Sequence, residues 1–264
     1  MARPRRHEPG DVLRGVERAV ALLHRLTADP VLDLARAARH LNVSRSTAYR
    51  VLRSLEAGGL LVYDRERRAY HLSLAIARLG QVALSRIDLR TVARPSLHRL
   101  AEATGESVFL LVVEGRSAVV IDTLASEAPL KLTYPVGTPW PLHAGASNKV
   151  LLAHLPPERI DEILAGPLPR VTPRTTTDPR RLRGELERIR RRGYAYSNGE
   201  LTPGVVGIAV PILCAGQLMG ALAVAGPSAR LPAARVPGIV KQLRTAADAI
   251  VQQLVGTGAK APRG

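Results

Sequence analysis

The densest chemistry in this 264-residue chain lies between Val43 and Leu55. Read at helical spacing, Ala48, Val51, Leu52 and Leu55 form one apolar stripe. Ser46, Tyr49, Arg50 and Arg53 share a second face at i, i+3, i+4 and i+7, with Arg45 and Thr47 beside them at the helix start. That face is rich in hydrogen-bond donors and holds no carboxylate, which suits a helix lying in a DNA major groove, where guanidinium groups and hydroxyls meet base edges and phosphates. A solvated amphipathic helix is the plain alternative. Such faces ordinarily mix charge signs, whereas here the one nearby acid, Glu56, falls at the helix end. A second cationic cluster, Arg65, Arg67 and Arg68, sits between two short apolar segments, where it would reach phosphates or a minor groove; a charged solvent turn is its alternative.

A second constellation is chemically quieter. Ala144-Gly145-Ala146-Ser147 is a run of small residues entering a helical pattern at Ala146. The first N–H groups of a helix have no partner within it, so such a loop suits a carboxylate, with a modest contribution from the helix dipole. Lys149 either assists that anion or faces solvent; spacing does not decide. Trp140, the only tryptophan, lies three residues before His143, at the edge of this loop. His143 and Ser147 are four apart, but no acid to orient the imidazole is evident, so a hydrolase dyad is not expected. The seven histidines show no zinc spacing, and Walker A, Gly-x-Gly-x-x-Gly and Gly-x-Ser-x-Gly motifs are absent. Neither catalytic residues, nor a metal site, nor a cofactor is expected. The single cysteine, Cys214, excludes an intrachain disulfide.

Charge agrees with a polyanionic partner. Lys+Arg number 38 against 22 Asp+Glu, a net of +16, and all but Lys131, Lys149, Lys241 and Lys260 are arginine. The excess is spread along the chain, so it does not locate the contact. The arginine-rich run 180–192 holds Leu182, Leu186 and Ile189 at helical spacing and reads as a solvated helix rather than a second nucleic-acid site. No stretch approaches the roughly 18 apolar residues of a membrane span, and no apolar segment follows the basic N-terminus, so a cytoplasmic protein without a membrane partner is expected.

The elements that must position these residues follow from pattern and punctuation. Helices are expected over 11–26 (Leu13, Val16, Val20, Leu23 and Leu26 recurring at helical spacing), 34–41 behind an Asp33 cap, and 44–57, stopped by Gly58-Gly59. Strands at 60–63 and 69–72 complete the order of a winged helix-turn-helix. A helical connector spans 73–103, with Ile87 on its apolar face and Pro95 kinking or restarting it. Beyond it, strands at 107–114, 118–124, 130–135, 194–197, 205–213 and 218–225 mix with helices at 146–155, 158–164, 180–192 and 235–255, an α+β domain around an antiparallel sheet. The domains are thus a basic arm 1–10, a DNA-binding domain 11–72, a connector 73–103 that also offers an apolar face for dimerisation, an α+β domain 104–255 and a tail 256–264.

Several ordered blocks carry a family resemblance: Arg45-Ser46-Thr47-Ala48-Tyr49-Arg50-Val51-Leu52, Gly59-Leu60-Leu61, Pro141-Leu142-His143-Ala144-Gly145-Ala146-Ser147-Asn148-Lys149, Arg192-Gly193-Tyr194-Ala195, Pro203-Gly204-Val205-Val206-Gly207-Ile208-Ala209 and Ala221-Leu222-Ala223-Val224-Ala225-Gly226-Pro227. Together they make the chain, from about Asp11 to Val255, resemble the IclR family of bacterial transcription regulators. The resemblance implies a winged helix-turn-helix, a linker helix and a GAF-like effector domain. It also implies a homodimer or dimer of dimers on a palindromic double-stranded operator, commonly a repressor, answering to a small organic effector such as an organic or aromatic acid. By motif position, the effector cavity would be lined by Ala144, Gly145, Ala146, Ser147, Ser197, Gly207, Ala223 and Ala225. Here Gly207 stands where relatives commonly have cysteine, Ser197 where many have an acid, Ala223 and Ala225 where serines are frequent, and Asn148 where glycine is usual. These departures imply a roomier, more apolar pocket, ill suited to a two-carbon acid. The rival reading is a hydrolase- or isomerase-like domain fused to a DNA-binding module.

Overall fold

The computed structural model describes residues 14–85 and 88–256. The arm, Leu13, Ile87 and residues 257–264 of the tail lie outside the described residues. The chain forms two compact units that meet in sequence at Ser85 and Arg86. The connector expected over 73–103 is therefore divided between them.

The first unit runs α1 (Arg14–Ala28), α2 (Leu34–Leu41), α3 (Arg45–Ala57), β1 (Leu61–Asp64), β2 (Ala69–Leu72) and α4 (Leu74–Ser85). Its helix ends are set by side chains. The Asp33 carboxylate accepts the Arg36 N–H at 2.8 Å, and Asn42, at φ +51°, closes α2 in the left-handed region. Ser44 caps α3 by accepting the Thr47 N–H, and Gly59, at φ +73°, turns the chain after it. Leu22 and Leu26 of α1 pack against Ala37 and Ala38 of α2, Ala48, Leu52 and Leu55 of α3, and Leu61 and Tyr70 of the hairpin. Burying a leucine as fully as Leu52 contributes about 1.5–3 kcal/mol. Leu32 and Tyr70 exchange two backbone hydrogen bonds of 2.9 Å, which ties the hairpin to the segment between α1 and α2.

The second unit runs α5 (Asp88–Thr104), β3 (Ser107–Glu114), β4 (Ser117–Leu124), β5 (Pro139–Pro141), α6 (Ala146–Ala153), α7 (Pro157–Ala165), α8 (Pro179–Arg192), β6 (Ala195–Asn198), β7 (Val205–Cys214), β8 (Gln217–Pro227) and α9 (Val236–Gly256). The strands form one antiparallel sheet in the order β5-β4-β3-β8-β7-β6. Side chains alternate across it. Val108, Leu110, Leu222 and Val224 face Leu97 and Leu100 of α5 and Leu243 and Ile250 of α9. Phe109, Leu111, Ala223 and Ala225 face the other way, with Val150 and Leu151 of α6 and Leu182 and Leu186 of α8. A bulge interrupts the β3–β4 pair: Leu110 opposes Asp122 while Leu111 opposes Val120, so Ile121 is the extra residue. Beyond it Asp122 is directed at α5, where Arg90 and Arg94 approach its Oδ2 at 3.7 and 3.8 Å.

Two expectations are corrected. Residues 130–135 are not a strand; the edge strand is Pro139–Pro141. Leu132 and Tyr134 instead pack as half-buried side chains on the α6 face of the sheet, with the Leu132 carbonyl held by the Ser107 hydroxyl at 2.7 Å. Pro95 neither restarts nor ends the helix: it lies inside α5, which begins seven residues earlier at Asp88. Among the described residues, no helix is long and apolar enough to cross a membrane.

The β7–β8 turn places Ala215 at φ +49° and Gly216 at φ +78°. Alanine is disfavoured there, because its Cβ crowds the carbonyl in the left-handed region, whereas asparagine is at home in two-residue hairpin turns. Ala215→Asn is therefore expected to raise the unfolding free energy by about 0.5–1 kcal/mol, measured as a shift of the urea midpoint at unchanged slope.

Candidate DNA-reading face and candidate effector cavity

On α3, Ala48, Leu52 and Leu55 are buried and Val51 is half-buried, so the opposite face is presented outward. Arg45, Ser46, Tyr49, Arg50 and Arg53 are exposed, and Thr47 is half-buried at the cap. The Ser46 and Thr47 hydroxyls each lie 3.0 Å from the Ser44 hydroxyl, a local network at the helix start. Arg53 donates to Glu56 at 2.8 Å, so its charge is partly neutralised; the i, i+3 spacing signals that pair. No hydrogen bond or ion pair of the Arg45 and Arg50 guanidiniums occurs among the described residues. In the wing, the Asp64 carboxylate accepts the Glu66 and Arg67 N–H groups at 2.9 and 3.0 Å. The Arg67 N–H foremost among its contacts keeps the Asp64 carboxyl below its ordinary pKa. Arg67 Nε lies 3.7 Å from the same acid, and Arg68, exposed, adopts φ +49°.

The second unit encloses a cavity on the α6 face of the sheet. Gly145, Ala146, Ser147, Ser197, Gly207, Ala223 and Ala225 all line it. Ala144 does not; it is wholly buried and not part of the lining. The space open to the centre of a water molecule is about 40 Å³, within about 500 Å³ free of protein atoms that includes the mouth. Its room comes from small residues in register: Gly207 opposes Ala225, and Ala209 opposes Ala223. A Cβ on Gly207 would meet Ala146 at 3.5 Å and the Ser197 hydroxyl at 3.7 Å, ordinary van der Waals contacts, so a methyl group would fit there against both.

Much of the wall lay beyond the motif blocks. Phe109 of β3, Tyr134 and Trp140 form an aromatic row with ring centroids 5.3 and 4.9 Å apart. Tyr134 also shares a 2.9 Å hydrogen bond with Thr202, joining the 125–138 segment to the loop between β6 and β7. Strand alternation points Phe109 to this face, but nothing local marks Tyr134 as a neighbour of residues in that loop. Leu201 from the same loop seats against Gly145: a Cβ there would fall 2.6 Å from its Cδ1, and the backbone is at φ +88°. Only glycine satisfies both conditions.

At the polar end, Lys149 is buried (4% side-chain exposure) and donates to Glu200 at 2.6 Å and Glu185 at 3.1 Å. It is thus neither solvent-facing nor free for a ligand. Glu200 also accepts the Gly145 N–H at 3.1 Å, taking one donor the loop was expected to offer an anion. Among the described residues, the Ala146 and Ser147 N–H groups have no protein acceptor. The Ser147 hydroxyl donates to Asn148 Oδ1 at 3.2 Å, and Asn148, wholly buried, donates its amide to the Pro141 carbonyl at 3.0 Å. His143 donates its Nε2–H to the Pro169 carbonyl at 2.9 Å, leaving that nitrogen unavailable to activate Ser147.

Burial is the main reason that His143 and His154 hold pKa values below the ordinary 6.5. Each binds a proton more readily unfolded than folded, so their stabilising contribution is complete above 6.5 and is lost as pH falls below it. The unfolding free energy is expected to decline between about pH 7 and pH 5, and to decline less in a His143→Gln/His154→Gln variant. Urea melts at both pH values check this; equal slopes for the two proteins would refute it.

Residues 15–65 match the IclR helix-turn-helix domain, and residues 81–252 match the bacterial transcriptional regulator IclR C-terminal family. The HTH-type transcriptional regulator BhcR of Paracoccus denitrificans is 35% identical over 226 residues, covering 85% of this chain and 81% of its own. The HTH-type transcriptional repressor AllR of Salmonella typhi is 31% identical over 224 residues, 83% and 81% of the two chains. An IclR homologue from Microbacterium hydrocarbonoxydans, solved in complex with 4-hydroxybenzoate, superposes with a TM-score of 0.79 at 31% identity, over 92% of this chain and 99% of its own. The chain belongs to the IclR family of DNA-binding transcriptional regulators.

Proposed function

We propose that this regulator, a cytoplasmic repressor, binds a palindromic operator as a homodimer or dimer of dimers, and that a small organic effector with an aromatic or otherwise apolar body fills the cavity and changes that binding. The observation that carries the effector reading is the aromatic row Phe109, Tyr134 and Trp140 facing the small residues Ala223, Ala225 and Gly207 across an enclosed space. The 4-hydroxybenzoate held by the Microbacterium relative supports the same ligand class. Exposed apolar side chains on α1 and α4, Val16, Val20, Leu74 and Leu79, support subunit contact outside the cavity. No enzymatic step belongs to this reading, since the His143 Nε2–H is held by Pro169 and Lys149 by two carboxylates.

On the DNA, Arg50 reads a base edge from the middle of the exposed α3 face, with Arg45, Ser46, Thr47, Tyr49 and Arg53 around it, and Arg67 and Arg68 bind phosphates. Arg50→Ala is expected to cost about 1–3 kcal/mol of operator affinity and to relax preference at one position. Removing Arg67 and Arg68 should weaken operator and scrambled DNA alike, and lower the log–log salt slope by roughly 0.9 for each phosphate no longer neutralised. Titrations of both DNAs at several salt concentrations decide; a variant pattern with the two roles exchanged reverses the assignment.

For the cavity, Ala223→Leu should abolish the effector response while leaving operator affinity in the absence of effector unchanged. Trp140 emission should change on titration of wild type with aromatic ligands and stay constant in that variant. Fluorescence and operator binding measured on the same preparation test both statements; a ligand still bound by the filled variant would lie elsewhere.

A further inference from the structure

The hydrogen-bonding groups at the α6 end of the cavity sort ligands by what they can donate. Resting on the effector reading above, we propose that Asn148 fixes Ser147 as an acceptor, so that this end of the cavity selects the hydroxyl of a phenol or similar uncharged aromatic and disfavours a carboxylate.

Asn148 has no freedom to exchange its amide oxygen and nitrogen. The Pro141 carbonyl can only accept, so the NH₂ must face it at 3.0 Å and the Oδ1 must face Ser147. A hydroxyl has one hydrogen, and Ser147 gives it to Oδ1 at 3.2 Å. Toward the cavity Ser147 therefore presents lone pairs alone. Beside it stand the Ala146 and Ser147 N–H groups, which have no protein acceptor among the described residues. A group that meets both kinds of neighbour must donate and accept at once. A hydroxyl does so; an ionised carboxylate cannot donate.

The surrounding charge points the same way. Glu200 and Glu185 share the single buried cation Lys149, a cluster with one excess negative charge, and Glu200 already holds the Gly145 N–H. Arg181, 3.6 Å from Glu185, is 75% exposed and screened by water, and His143 beside the cluster is kept neutral by burial. A further carboxylate at this end, brought by a ligand, meets net repulsion.

Calorimetry on the full-length protein with p-cresol, 4-fluorotoluene and 4-methylbenzoate tests this, because the three share a tolyl body and differ in the polar end. Wild type should bind p-cresol at least about tenfold more tightly than either of the others. Asn148→Ala, which frees the Ser147 hydrogen, should bring the p-cresol to 4-methylbenzoate ratio below about threefold. Should that variant not fold, as judged by circular dichroism, the wild-type ratios and Ser147→Ala, expected to lose the preference, still decide. Binding that is blocked by Ala223→Leu but shows no preference for p-cresol in wild type overturns this inference alone. Binding unaffected by Ala223→Leu, or no binding of any of the three, overturns the effector site and this inference with it.

Discussion

A buried ammonium group organises the second unit. Lys149 sits almost wholly out of water, and an unpaired cation in that position would be prohibitively unstable, so its two carboxylates are obligatory. Glu185 comes from α8 and Glu200 from the loop between β6 and β7, so one charge fixes three elements about the start of α6. The loop is further held where Thr172 donates to the Gly199 carbonyl at 2.7 Å and Thr175 to that of Glu200 at 2.8 Å. Leu201 and Thr202, next in the chain, are thereby held at the cavity wall. Truncating either carboxylate alone loosens this arrangement more than the loss of a surface ion pair would, because the remaining partner stays buried.

The cavity exists because the sheet is under-filled on one face. Where the opposite face carries Val108, Leu110, Leu222 and Val224 at full size against α5 and α9, this face offers Ala223, Ala225 and Gly207. Protein interiors close over voids of this kind unless rigid surroundings prevent it. Here the aromatic row on one side and the anchored loop on the other hold the walls apart. The same alternation that builds the core thus builds the space within it.

What was legible in the residues was local. The α3 face, its Ser44 cap, the Asp33 cap and the Gly58-Gly59 stop all declare themselves within a few residues, since period and capping depend on near neighbours. The small residues of the cavity wall were readable from ordered blocks, and all of them but Ala144 line it. What stayed hidden was long-range. The partners of Lys149 lie 36 and 51 residues away, and no spacing rule connects them. Pro139–Pro141 pairs as an edge strand through a short register with β4, while the more strand-like residues before it turn their side chains to the core. Tertiary packing, not propensity, decided that edge.

The bulge at Ile121 bears on which changes in chain length this fold tolerates. Before it, Val120 lines the cavity; after it, Asp122 is directed at α5. Because side chains alternate strictly along a strand, a ladder of unchanged length without the bulge would turn Asp122 toward the cavity and away from the arginines. Insertions and deletions among descendants should therefore collect in the 125–138 segment and the hairpin turns, while the length of β4 stays constant. Drift in ligand preference must then proceed by substitution within a wall of fixed register.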